Sequence, residues 1–341
     1  MSNTSRTTQL PIEAQATVAE TGCLEGTLAL GPMSLHHGGE LDSITIGWRL
    51  AGPEGAPLVV AQGGISAHRR VYSLTTPADG WWREIVGPGL ALPSQNYRVL
   101  SFDYLGGSGA TTGPNGAARF PSISTYDQAE ILERLFVALE LPRARAFIGA
   151  SYGAMVGLAF ASRYPSRLER LLAISGAHRA HPMATAWRSV QRRIVEFAAD
   201  QGQAAAGMTL ARALAMTTYR SADEFAARFA AEPRLADGRF VFPVEDYLQS
   251  RGAAYAARYA AESFLTLSES IDLHRLEPET VKVPVVAVAI AEDQLVPLTD
   301  MRELVERLPE AQLLEWSSHY GHDAFLKEAN QLRALFARLA E

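Results

Sequence analysis

Ser151 stands between Gly149 and Gly153 in "FIGASYGAMVGLAFASRYPSRL", residues 147–168. A β-tolerant run precedes it and a small-residue helical pattern follows, so the spacing predicts a strand turning sharply into a helix with the serine at the turn. Such a turn holds the hydroxyl clear of the backbone and needs flanking glycines, because side chains there would collide. It also puts the serine near a helix N-terminus, where unpaired N–H groups and the dipole favour developing negative charge. The chemistry this suits is nucleophilic attack on a carbonyl. Because G-x-S-x-G also arises by chance, the partners decide the matter.

A nucleophile first in the chain calls for an acid after a later strand and then a histidine near the end. Asp293 follows "PVVAVAIAE", where a strand tip would present it, and His322 lies in "HYGHDAFL", after the short apolar segment "QLLEW". In this order His322 removes the Ser151 proton, and Asp293 orients the imidazole and stabilises its charged form. Glu292 and His319 are the nearest rivals, and each reads more naturally as a polar loop residue. An oxyanion hole would combine the Tyr152 N–H with that of Gly64 or Ile65, from "QGGISAHRR" after an early strand. The plain alternative for "QGG" is an ordinary turn.

These residues need a scaffold. Short β-rich runs occur at 44–50, 57–61, 97–102, 146–150, 170–175 and 284–290, and residues 125–141 carry apolar positions at the spacing of one buried helix face. Alternating helices and fully apolar strands imply an α/β fold with a mostly parallel sheet and helices on both faces. The alternation stops after Ser175 and resumes at Pro284. The expected organisation is therefore a core of residues 41–179 and 277–341, a helical lid insertion at 180–276 without a convincing strand, and a partly flexible N-terminal segment, 1–40.

Composition narrows the classes. The 341 residues are 48% hydrophobic, enough for a packed core, and the net charge of −6 with scattered basic residues argues against nucleic acid. The single cysteine, Cys23, excludes an internal disulfide framework and any multi-cysteine metal site. The first 20 residues lack a secretory pattern, and the least charged stretch, 146–162, is too short to span a membrane. A cytoplasmic protein is expected.

The triad leaves esterase, thioesterase, peptidase and acyltransferase open. The combination of "GASYGAMVGLAFASRYPSRL", "MTTYRSADEFAARF", "VEDYLQSRGAAYAARYAAESFLTLSESID" and "YGHDAFL" resembles the homoserine O-acyltransferases of the α/β-hydrolase fold, from about residue 40 to the C-terminus. The resemblance implies a ping-pong acyl-CoA:L-homoserine O-acyltransferase of methionine biosynthesis, with an acyl-serine intermediate, no cofactor besides the co-substrate acyl-CoA, and a homodimer formed through the insertion. It also implies that Arg220 and Asp323 hold the acceptor, a guanidinium for its carboxylate and a carboxylate for its ammonium. Without the resemblance, Arg220 is a surface ion-pair residue and Asp323 a helix cap.

The oxyanion loop departs from the family, whose members commonly carry alanine-leucine-threonine-glycine there. His68, Arg69 and Arg70 bring positive charge next to it, which favours succinyl-CoA as donor. Leu295, neutral where succinyl-using relatives tend to carry arginine, favours acetyl-CoA. Serine as acceptor, water as acceptor in an esterase or thioesterase, and a binding protein with a silent hydrolase fold are the competing readings.

Overall fold

The computed structural model describes residues 14–20, 22–107, 109–116 and 120–340. Among them one nine-stranded sheet is formed by β1 (Ala14–Glu20), β2 (Cys23–Ser34), β3 (Glu40–Ala51), β4 (Leu58–Gln62), β5 (Arg98–Phe102), β6 (Ala146–Ala150), β7 (Leu171–Ile174), β8 (Val285–Ile290) and β9 (Ala311–Trp316). The spatial order is β1-β2-β3-β5-β4-β6-β7-β8-β9. From β5 onward in that order the strands run parallel, whereas β1, β2 and β3 form an antiparallel meander whose last strand pairs antiparallel with β5.

The chain steps from β4 to β5 on one side and then crosses to β6 on the other. Loops leaving β4 and β6 therefore meet at the carboxyl edge, a switch point where open α/β sheets place their ligands. Gln62 pairs with Gly149 across these strands, which brings the "GGIS" loop beside the turn after β6. Successive strand residues point to opposite faces and feed two separate apolar clusters, Phe147 to one and Ile148 to the other. Helices α1 (Thr125–Ala138) and α2 (Tyr152–Arg163) cover the first face. The C-terminal helix with Leu332, Leu335 and Phe336 covers the second. Helix α1 starts at a capping box, with Ser124 Oγ accepting from Asp127 N and the Asp127 carboxylate accepting from Ser124 N at 2.7 Å.

Two features differ from the sequence expectation. Residues 1–13 and 21 lie outside the described residues, but residues 14–20 and 22–40 are not a loose arm. They supply β1 and β2, and Cys23 is buried opposite Ala51. The period-two signal is broken by Gly31 and Pro32, which the strand absorbs in register shifts between Ala29 and Met33. The insertion also contains a short hairpin, Arg234–Ala236 with Arg239–Val241, around a tight Asp237-Gly238 turn.

Otherwise the insertion is helical: α3 (Pro182–Asp200), α4 (Ala204–Tyr219), α5 (Ala222–Arg228), α6 (Pro243–Ala256) and α7 (Ala261–Leu273). Its small residues permit close helix crossing, since a Cβ on Gly252 of α6 would come 2.3 Å from the Thr209 carbonyl of α4. The insertion leaves and re-enters the core at one point, where Leu276 N donates to His178 O at 2.9 Å and Arg179 bridges Arg275. No helix among the described residues is long and apolar enough to cross a membrane.

Candidate active site

Ser151 occupies the turn between β6 and α2 with φ 56° and ψ −121°, a conformation that costs a non-glycine residue energy. The neighbours enforce it. A Cβ on Gly149 would lie 2.3 Å from Gly153 O, and one on Gly153 would lie 2.2 Å from Gln62 O. Ser151 N donates to Ile174 O at 2.8 Å, which ties the turn to β7.

His322 Nε2 lies 2.8 Å from Ser151 Oγ, and His322 Nδ1 lies 2.7 Å from Asp293 Oδ2. Asp293 is fixed in turn by the N–H groups of Leu295 and Val296, at 2.8 and 3.0 Å on its Oδ1. Burial alone would push the His322 pKa down; the charge and hydrogen bond of Asp293, helped by Asp323, outweigh it and hold the imidazole above its ordinary value. The arrangement can pass a proton from Ser151 to His322 while Asp293 steadies the imidazolium. The rivals stand aside. Glu292 accepts from Ser317 Oγ and Ser318 N, stitching the Asp293 loop to the segment that carries His322. The His319 ring packs on Tyr320.

The N–H groups of Tyr152, Gly64 and Ile65 have no acceptor among the described residues, and Gly64 and Ile65 line the same cavity as Ser151. Gly63 O accepts from Tyr104 Oη at 2.7 Å and from Gly153 N at 2.9 Å. Across a trans peptide this turns the Gly64 N–H to the opposite side. The Tyr152 side chain is buried, its hydroxyl 2.7 Å from Ser270 Oγ of α7.

The cavity, about 90 Å³, lies between the sheet edge and α3, α4 and α7. Leu295 is on its wall, but Arg69, Arg70, Arg220 and Asp323 are not. Arg69 pairs with Asp103 and with Glu25 at 2.8 Å, and Arg70 pairs with Glu25 and Asp79 at 3.2 Å each. The two arginines expected to meet the donor thus lie outside the cavity lining, both paired with Glu25 on β2, the strand missed in the sequence. Burial works to raise the Glu25 pKa, but the two guanidinium groups overcome it and hold the carboxyl below its usual range.

Arg220 and Asp323 face each other, Nε to Oδ2 at 3.1 Å, with the Arg220 guanidinium over the Tyr320 ring. Arg220 is therefore already matched by an anion. The cavity wall carries a different arginine. Arg212 of α4 is stacked between Tyr219 and Tyr255, its guanidinium carbon 4.9 and 4.6 Å from their ring centroids, and it has no ion-pair partner among the described residues. The signal was present in "LARALAMTTY": a charge inside an apolar helical run, seven residues before a tyrosine and so on its face. Asp300, also on the wall, has a buried Oδ2 without a hydrogen-bond partner.

A family described as alpha/beta hydrolase fold matches residues 57–329. The chain is 46% identical over 305 residues to the homoserine O-succinyltransferase of Xanthomonas campestris pv. campestris, covering 89% of this chain and 80% of that protein. It is 31% identical over 338 residues to the homoserine O-acetyltransferase of Symbiobacterium thermophilum, covering 86% and 88%. Among solved structures, the homoserine o-acetyltransferase of Staphylococcus aureus superposes with a TM-score of 0.78 at 24% identity, covering 92% and 95%, a likeness of fold.

Proposed function

We propose that this chain, which belongs to the homoserine O-acyltransferase family of the α/β-hydrolase fold, transfers an acyl group from acyl-CoA to the hydroxyl of L-homoserine through an acyl-Ser151 intermediate. The observation that carries the reading is the Ser151–His322–Asp293 relay opening into a capped cavity that also contains an unpaired arginine. In the first half-reaction His322 takes the Ser151 proton, Ser151 Oγ bonds to the thioester carbon, and CoA leaves with that proton. The N–H groups of Tyr152 and Gly64 receive the oxyanion. In the second half, His322 deprotonates the homoserine hydroxyl, whose oxygen bonds to the acyl carbon; the bond from that carbon to Ser151 Oγ breaks, and Oγ takes the proton back from His322. Acyl-CoA is a co-substrate, and the reaction needs no cofactor.

Arg212 is assigned to the homoserine carboxylate in place of Arg220, because a half-buried guanidinium held between two tyrosine rings without an anion has the most to gain from one. Asp323, next to His322, is assigned to the ammonium, which would take the place of Arg220 on its carboxylate; its charge acts on both His322 and Arg212. Succinyl-CoA is the proposed donor, on the strength of the 46% identity to a succinyltransferase against 31% to an acetyltransferase. The proposed setting is the cytoplasm and the proposed role a step of methionine biosynthesis. Met183, Val190 and Phe197, exposed at heptad spacing along α3, fit a homodimer through the cap, which light scattering of Phe197→Glu tests by loss of the dimer.

The deciding experiment crosses acetyl- and succinyl-CoA with homoserine and serine and identifies products by mass spectrometry. O-succinylhomoserine is expected. Release of free acid at a rate unaffected by homoserine would make water the acceptor and overturn the reading.

A further inference from the structure

The acyl-enzyme stage places a demand on the cavity that Arg212 alone does not meet. A succinyl group on Ser151 still carries its distal carboxylate when homoserine arrives with a second one. Two anions must then be held side by side, and one guanidinium cannot serve both without leaving like charges in contact. A second uncancelled cation is required on the wall.

Arg179, Arg188 and Arg212 are the arginines that line the cavity. Arg179 is matched by Glu303, with bonds of 2.6 and 2.7 Å to its two oxygens. Arg188 is different. It shares Asp272 of α7 with Arg192: Arg188 Nε lies 2.7 Å from Oδ1 and Arg192 Nη1 lies 2.6 Å from Oδ2, while Thr185 Oγ1 donates to Oδ1 at 2.8 Å. One carboxylate thus serves two guanidinium groups, and among the described residues neither arginine has another carboxylate within ion-pair distance. Arg188 Nη2 is buried and lacks hydrogen-bond geometry to any acceptor, although it lies 2.6 Å from Asp272 Oδ1. Arg192 instead directs its Nη1 to Ser268, at 3.1 Å from the carbonyl and 3.0 Å from the hydroxyl.

We propose that Arg188 binds the free carboxylate of the acyl group and thereby selects a dicarboxylic acyl donor over acetyl. The proposal rests on the acyl-transfer reading and deepens it. The cluster of two arginines, one aspartate and one threonine is a built anion site with one positive charge to spare, on the same wall as the nucleophile. Asp272 and Thr185 fix the Arg188 guanidinium before the donor arrives, so little ordering remains to be done on binding. Acetyl offers no group to this site and gains nothing from it.

The test measures kcat/KM for succinyl-CoA and acetyl-CoA, with the acyl adduct followed by intact-protein mass spectrometry, in wild type, Arg188→Leu, Arg188→Gln and Arg192→Leu. The succinyl-to-acetyl ratio should fall about 100-fold in both Arg188 variants, the loss of one buried charge-assisted contact. It should fall less in Arg192→Leu, which leaves the Arg188 guanidinium on the wall but gives it the whole of the Asp272 charge. A Gln variant is included so that a poorly folded Leu variant does not end the test. A wild-type ratio in the folded Arg188 variants overturns the subsite and leaves acyl transfer standing. Wild-type protein that prefers acetyl-CoA overturns both donor and subsite, and wild-type protein that forms no adduct with either donor overturns the acyl-transfer reading itself.

Discussion

Tyr259, between α6 and α7 of the cap, donates its hydroxyl hydrogen to the Ile65 carbonyl at 2.8 Å. Tyr104 of the core does the same for Gly63 at 2.7 Å, so the carbonyls on both sides of Gly64 are held by tyrosines. The loop proposed to receive the oxyanion is thus positioned jointly by core and cap. Tyr259→Phe should slow acylation about tenfold, the loss of one positioning hydrogen bond, with little change in KM. Stopped-flow measurement of CoA release reads this directly. An unchanged acylation rate would mean that Tyr104 positions the loop without help.

Ser151 carries its function at the expense of backbone strain, and the two are separable. Ser151→Ala and Ser151→Gly should both abolish the acyl adduct. The glycine variant should nevertheless be the more stable, because relief of about 1–3 kcal/mol of strain exceeds the roughly 0.4–1 kcal/mol that glycine's freedom costs in the unfolded chain. Urea denaturation of the two variants side by side makes the comparison. Equal midpoints would argue that the turn is unstrained.

Arg212→Leu should act on the second half-reaction, raising the homoserine KM about 100-fold or more while acyl-enzyme still forms. Single-turnover kinetics separates the halves. Asp323→Asn should raise the same KM, and Asp300→Asn should not; the opposite pattern would move the ammonium contact to Asp300.

His322 must be neutral to accept a proton, and its pKa is raised above 6.5 by Asp293 and then Asp323 against the opposing effect of burial. Activity is therefore expected to be lost as pH falls, along an acid limb whose midpoint lies above 6.5. Asp323→Asn removes one of the charges that favour the imidazolium, so its acid limb should move to lower pH. Profiles of kcat/KM for the acyl-CoA, which report the free enzyme, supply the measurement. A limb that stays put or moves upward would show that Asp323 does not act on His322.

What could be read in the sequence and what could not divide along a physical line. The central strands announce themselves because both faces are buried and every residue is apolar, as in "AFIGA" and "PVVAVAI". The turn at Ser151 is equally plain, since close backbone approach leaves glycine as the residue that fits beside it. β2 escaped because Gly31 and Pro32 interrupt its alternation, and with β2 went Glu25. Arg69 and Arg70 then looked free, although an ion pair to a strand more than forty residues away left no local trace. Arg220 and Arg212 show the same limit: their spacing in one helical run is visible, but which of them meets a carboxylate is a property of the folded cap.

The closure between His178 and Leu276 means that the chain enters and leaves the cap through one narrow neck while β7 and β8 remain adjacent beneath it. Lengthening or exchanging what lies above such a neck changes the entropy of closing the loop only logarithmically, about 0.6 kcal/mol for a doubling. Ser151, Asp293 and His322 all lie outside that segment, whereas Arg188, Arg212 and Tyr259 lie within it. Acceptor and donor preference can therefore diverge during evolution by rewriting the cap alone, with the reactive machinery inherited unaltered.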